Sequence, residues 1–290
     1  MQNLFPELAK LRYRSILIGC VSVLSSLVAE AETDALVQIV NLDGYPAYEQ
    51  RHNLLHNMKP PELSAGSSAL IQFIELGNIP AGMEEDEYLS LANDIYDKLL
   101  NENIAVQYLL DHALEAITDD EKLFVWRDYC VQKLADILPH PGVSPESSKE
   151  GLDVLKEVIE GNYPEMQGTA LIVATQLEPT EFAKEQSILN AEFIGQKALA
   201  CASDDEKPLI DRVTALQVAG RYAPDQAVAY ASSLLDENQA NVATMLKLSA
   251  IAMIGQVGDQ AHMPLLEPFR RSADVRMRKA ARIAIERLDS

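Results

Sequence analysis

The sequence predicts an all-α protein, an α-α superhelix of the helical solenoid kind, and three observations carry that expectation. Strand signals are almost missing, because few β-branched residues alternate with polar ones and no Asn-Gly or Asp-Gly turn separates two apolar runs. Apolar and small residues instead recur at i, i+3, i+4 and i+7, as at Leu246, Ser249, Ala250, Met253, Ile254 and Val257, which is the period of one helix face. A third signal is repetition: one short pattern of basic, small and apolar residues returns along the second half of the chain.

The chain opens with a segment built like a signal peptide. Lys10, Arg12 and Arg14 form a basic stretch, and Ser15 to Ala29 is an uncharged apolar run without a polar face. Ala29-Glu30-Ala31 then places small residues at the −3 and −1 positions of a cleavage site after Ala31. A run of this length is short for the ~20 helical residues that a ~30 Å hydrocarbon core takes, so no membrane span is expected in the mature chain. Leu17-Ile18-Gly19-Cys20 also has the form of a lipobox, which would make the product a lipoprotein acylated at Cys20. A buried first helix in a cytoplasmic protein is a third alternative; the expected location is periplasmic or secreted.

Residues 32–119 read as an N-terminal helical region of degenerate repeats, and residues 120–290 as the repeat array. Leu91, Ile95 and Tyr96, then Val106, Leu109 and Leu110, lie in a stretch from 81 to 138 that has no proline, which suggests longer helices. Further on, Ser144-Pro145 reads as an N-cap followed by proline in the first turn, and Ser203-Asp204-Asp205-Glu206 as a capping box. Asp274 reads as another cap, and Pro164, Pro179, Pro208, Pro224 and Pro264 fall near expected helix boundaries.

Composition narrows the partners. The chain carries 24 Lys plus Arg against 44 Asp plus Glu, a formal charge of −20, and shows no segregated basic stripe, so a nucleic-acid partner is excluded. A protein partner of basic or polar surface fits this charge, with association that weakens as salt rises. Hydrophobic residues at 48% beside 23% charged ones belong to a folded chain with a sizeable core. Beyond Ala31 two cysteines remain, Cys130 and Cys201, 71 positions apart. They do not make a disulfide framework and read as core thiols, with a bridge between them left open.

Three segments align on the repeating pattern. Arg212, Ala215, Ala219 and Tyr222 are followed by Lys247, Ala250, Ile254 and Val257, and then by Arg278, Ala281, Ile285 and Leu288, at spacings of 35 and 31. Arg127, Cys130, Leu134 and Ile137 keep the whole pattern, while Gln167, Ala170, Ala174 and Leu177 keep all but the charge. Arg51 marks a looser sixth copy with Leu54 in place of the small residue. The pattern resembles the HEAT repeat family, in particular its short phycobilisome-lyase-type form, best from 120 to 290. Residues 246–288 carry the likeness most fully, with a Gly258-Asp259 turn between two helices. The resemblance implies a solenoid whose small positions, Cys130, Ala170, Ala215, Ala250 and Ala281, let helices approach closely, and whose inner helices line a concave partner-binding face.

Candidate sites divide between function and framework. Arg127, Arg212, Lys247 and Arg278 form a possible ladder for an acidic ligand, or else bond to carbonyls and carboxylates of neighbouring repeats. His52 and His56, at i and i+4, have metal-ligand spacing but lack a third ligand or a following Glu, so no metal site is expected. Cys130, close to Trp126 and Tyr129, occupies the small core position of later repeats. The acidic clusters Glu84 to Glu87, Asp119 to Glu121 and Asp204 to Glu206 lack the spacing of a calcium loop and read as helix starts. GxSxG, P-loop, GxGxxG and CxxCH motifs are all absent, and neither a catalytic residue nor a cofactor is implied. The expected function is therefore a non-enzymatic protein-binding scaffold or adaptor, exported, working through the concave face of inner helices. The alternatives are an enzyme or chromophore-handling HEAT-like protein, betrayed by His112 or His140 beside a carboxylate, and a structural component of an envelope assembly.

Overall fold

The computed structural model describes residues 35–44, 46–75, 79–163, 165–186, 189–236 and 242–289. The signal-like segment 1–31, with Cys20 and the Ala31 cleavage site, lies outside the described residues, as does Pro164. Among the described residues every regular element is helical, the all-α fold that the periodicity predicts. They fall into two compact units, the first ending at Val106 and the second beginning at Gln107.

In the first unit, residues 35–40 are helical and precede α1 (Tyr48–Asn57), α2 (Pro60–Glu75) and α3 (Glu85–Asn101). Glu84 caps α3 in a capping box with Glu87, so this acidic cluster is a helix start as expected. Tyr88, Leu91, Ala92, Ile95, Tyr96 and Leu99 form the buried face of α3 at helical spacing. The Tyr88 hydroxyl donates to the carbonyls of Phe73 and Ile74, which closes the C-terminal end of α2. Arg51 is buried to 1% exposure and donates to the carbonyls of Pro46 and Ile39.

The second unit is a stack of helical hairpins. α4 (Val106–Thr118) leads into α5 (Phe124–Ile137) and α6 (Pro145–Ile159), then α7 (Gln167–Leu177), the short α8 (Glu181–Gln186) and α9 (Ala191–Ser203). α10 (Leu209–Tyr222), α11 (Pro224–Leu234), α12 (Thr244–Val257), α13 (Met263–Leu266) and α14 (Val275–Leu288) follow. The helices that carry the repeating pattern stack in sequence: α5 on α7, α7 on α10, α10 on α12 and α12 on α14. α9 and α11 pack against these as second helices of their hairpins. Cys130, Ala170, Ala215, Ala250 and Ala281 are all buried to 1% exposure or less, where a larger side chain would hold the helices apart. At Gly255 the approach is closer still, because a Cβ there would lie 2.5 Å from the Ala284 backbone of α14. Each fully buried Leu or Ile of this core contributes about 1.5–3 kcal/mol by leaving water.

Some boundaries follow the expected chemistry and others depart from it. Ser144 accepts from the Ser147 amide with Pro145 in the first turn of α6, and Asp274 accepts from the Arg276 amide at the start of α14. Ser203, by contrast, is no N-cap. It ends α9, its hydroxyl bonded back to the Leu199 and Ala200 carbonyls, while Asp204 turns the chain by accepting from the Glu206 amide. Asp119 does the same for the Glu121 amide before α5, so these two acidic clusters build turns between helices rather than helix starts. The helix expected after Gly258-Asp259 is also broken, into a 3-10 turn at Gln260–His262, the four residues of α13 and a second 3-10 turn at Glu267–Arg271. Pro264 and Pro268 remove two amide donors four residues apart and forbid a continuous helix.

Candidate functional site

Three of the four repeating basic residues, Arg127, Arg212 and Arg278, reach carbonyls that precede their own helices. Arg127, on α5, donates from Nε and Nη2 to the Ile117 carbonyl at the end of α4, at 3.2 and 2.9 Å. Arg212, on α10, donates to the Ala202 carbonyl at the end of α9 at 3.2 Å. Arg278 holds the Ser272 and Ala273 carbonyls at 2.7 and 3.0 Å, and Gln167 holds Ile159 at 2.6 Å. A helix leaves its last carbonyls without partners, and buried ones must be satisfied, so the geometry of these side chains is that of a clamp. Around Arg127 and Arg212 the correspondence is residue by residue after a shift of 85. Ile117, Asp120 and Arg127 match Ala202, Asp205 and Arg212, with carboxylate contacts of 2.9 and 2.6 Å. Tyr163 stacks 5.9 Å from the Arg127 guanidinium, and the Tyr230 hydroxyl lies 3.3 Å from that of Arg212.

One clamp was hidden from any reading of local sequence. Asp211, buried in the first turn of α10, accepts the Gly168 amide at the start of α7 and so caps a different helix. A Cβ at Gly168 would stand 2.7 Å from the Asp211 carboxylate, which is why glycine occupies that position. Burial pushes the Asp211 carboxyl above its usual range, although the Gly168 amide draws it down.

Exposed rows of the stacked helices form a cleft of about 420 Å³. Gln132, Lys133 and Asp136 line it from α5, and Thr169, Ile172 and Gln176 from α7. Ile172 is 43% exposed, an apolar anchor flanked by two carboxamides that can each donate and accept. A polypeptide segment offers the matching combination of a side chain and a main chain.

In the first unit a smaller cavity, about 180 Å³, lies between α1 and α3 and is lined by His52, His56, Asp94, Asp97 and Lys98. His52 Nδ1 is 2.7 Å from Asp94 Oδ2, which also accepts from the Tyr48 hydroxyl at 3.3 Å. Burial first, and then Asp94, raise the Tyr48 phenol above its usual value, so it stays protonated at neutral pH. His52 and His56 stack with ring centres 6.3 Å apart. Among the described residues no group of three or more ligating side chains is placed to hold a metal ion. Histidine-carboxylate pairs form at His52 and, with Asp259 at 2.7 Å, at His262, whereas the sequence pointed to His112 and His140. His112 instead packs in the core against Trp126, and the His140 ring accepts the Gly142 amide. Asp94 lies 42 residues from His52, so no motif spacing could have joined them.

Cys130 and Cys201 are free, buried thiols, each pushed up to about 12 chiefly by burial. The expectation that basic residues are nowhere segregated is corrected. Arg270, Arg278, Lys279 and Arg282 surround one pocket at the start of α14. They come from a stretch rich in Lys and Arg that spans a 3-10 turn and a helix.

These features define an all-α helical-repeat protein. No family model and no curated protein sequence matches the chain. Among solved structures, human deoxyhypusine hydroxylase in complex with glycerol aligns with 15% identity and a TM-score of 0.36, covering 92% of this chain and 99% of that one. A likeness at this level assigns no activity to the chain. The expectation of a non-enzyme, which rested on repeat architecture and missing motifs, is corrected and not kept. The aligned protein is an enzyme, and stacked helices can carry reactive side chains in clefts as readily as binding ones.

Proposed function

We propose that the protein binds a polypeptide partner along the exposed rows of α5 and α7, with Ile172 as the apolar anchor and Gln132 and Gln176 addressing the partner's main chain. The observation that carries this reading is the 420 Å³ cleft with an exposed isoleucine between two carboxamides. The −20 charge favours a basic or polar partner. Export, with cleavage after Ala31, belongs to the same proposal and predicts an intact mass that begins at Glu32. A photo-crosslinking residue at position 172 should join to one protein in the native source, while the same residue at the exposed Glu150 of α6 should not. Ile172→Asp should weaken capture at least tenfold with the melting temperature held within about 2 °C. Crosslinks of equal yield from both positions would sink the reading.

A second reading is favoured by the Tyr48, His52 and Asp94 arrangement, in which a carboxylate fixes the imidazole and leaves Nε2 directed away from it as a general base. Turnover of p-nitrophenyl acetate by the wild type, lost in both His52→Gln and Asp94→Asn, would support acid–base chemistry there. Turnover unchanged by these substitutions would remove it.

A further inference from the structure

The geometry points to a docking site for a short acidic polypeptide segment at the junction of the last 3-10 turn with α14. Residues 267–288 carry seven Lys and Arg against three Asp and Glu, a reversal of sign in a chain of net charge −20. Arg270, Arg278, Lys279 and Arg282 line a pocket of about 420 Å³ there together with Val275, and no carboxylate lines it. Of the three acidic groups in this stretch, one is committed to a helix cap and two pair at the surface with lining arginines. Asp274 caps α14 and pairs with the Arg276 guanidinium at 2.8 Å. Glu267 and Glu286 reach Arg270 and Arg282 at 3.0 and 3.8 Å in exposed pairs, which solvent screens.

A second, independent observation comes from the repeat register. Seven residues before Arg127 and Arg212 stand Asp120 and Asp205, each paired with its arginine. Seven residues before Arg278 stands Arg271. The position that neutralises the clamp in two earlier repeats adds a further positive charge in this one, and leaves a carboxylate to be supplied from outside. Guanidinium groups bind carboxylates through paired hydrogen bonds, so Arg282 and Arg270 suit glutamate or aspartate side chains. Val275, 64% exposed amid the cations, suits an apolar residue between those acids and favours a peptide over a bare anion. The charge of the rest of the chain repels an extended polyanion such as nucleic acid, whereas a segment of a few residues lies within the local positive field. This site is separate from the α5–α7 cleft and stands without it.

The test uses the full chain and a fluorescein-labelled peptide of four Glu-Glu-Val units, followed by anisotropy at low and physiological salt. Saturable binding should appear, and Lys279→Glu with Arg282→Glu should weaken it at least tenfold, because both residues are exposed and neither holds a carbonyl in the clamp. Lys149→Glu with Lys184→Glu, on α6 and α8, makes the same charge change away from the pocket and should weaken binding less than threefold. A peptide of Glu-Glu-Gly units should bind at least threefold more weakly than the valine peptide. Equal losses from the two double variants would overturn the site in favour of diffuse charge. Displacement by 10 mM inorganic phosphate at constant ionic strength, with no preference for valine, would overturn the peptide assignment.

Discussion

Arg127 and Arg212 on one side and Arg278 on the other show what the repeat holds constant and what it leaves free. All three donate to main-chain carbonyls that precede their own helix. The first two also meet an aspartate of the preceding turn, and the third faces a turn with Arg271 at that place. The carbonyl contact is required wherever a helix ends against the stack, since an unsatisfied buried acceptor costs about 1–3 kcal/mol. The turn residue, on the surface, is released from that requirement. Framework and surface charge are therefore set by different residues of one short pattern, and two repeats that share the carbonyl contact can present opposite fields.

The largest test of this comparison truncates the clamps. Arg127→Ala should destabilise the second unit by about 3 kcal/mol, a fall of roughly 6–12 °C in melting temperature, because its guanidinium is nearly buried and the Ile117 carbonyl is left bare. Arg212→Ala should cost about 2 kcal/mol and the more exposed Arg278→Ala about 1 kcal/mol. Melting curves that do not rank in this order would break the comparison. A middle-sized effect is expected at Asp211. Its native carboxyl is raised by burial, so the folded state holds a proton that the unfolded state gives up near 3.8. The stability this contributes is present below 3.8 and lost as pH rises through the native value. Asp211→Asn should therefore gain on the wild type in melting temperature as pH climbs from about 4 upward, and a difference that is flat with pH would contradict the assignment. The smallest effect sharpens the comparison directly: Arg271→Asp should copy the earlier turns. It should add at most about 1 kcal/mol of stability by pairing with Arg278, as surface pairs do, and should weaken acidic-peptide binding at α14 in the same protein.

Much of the framework was legible, because its signals are local. Arg127, Cys130 and Leu134 lie on one helix face, so their spacing records which side is buried. Ser144-Pro145 and Asp274 act on amides two or three residues away. The failures have a common cause in chemistry that two structures share. Aspartate accepts an amide two residues on in a turn and at a helix start alike, so the clusters beginning at Asp119 and Asp204 read as helix starts although their aspartates turn the chain. Asp211 capping Gly168, and Asp94 meeting His52, were illegible because the partners are joined only by packing. The basic pocket was legible in outline, since residues 267–288 carry seven Lys and Arg, and only the placing of Arg270 beside Lys279 and Arg282 needed the fold.

The clamp also sets where the second unit can be divided. The end of α9 is closed by Arg212 and Tyr230, residues that belong to the helices after it. A fragment ending at Ser203 would therefore carry a frayed last turn with the Ala202 carbonyl open, whereas one ending at Tyr222 would keep Arg212 in place over it. A module cut from this unit is accordingly better bounded after a helix that carries the clamp than just before it.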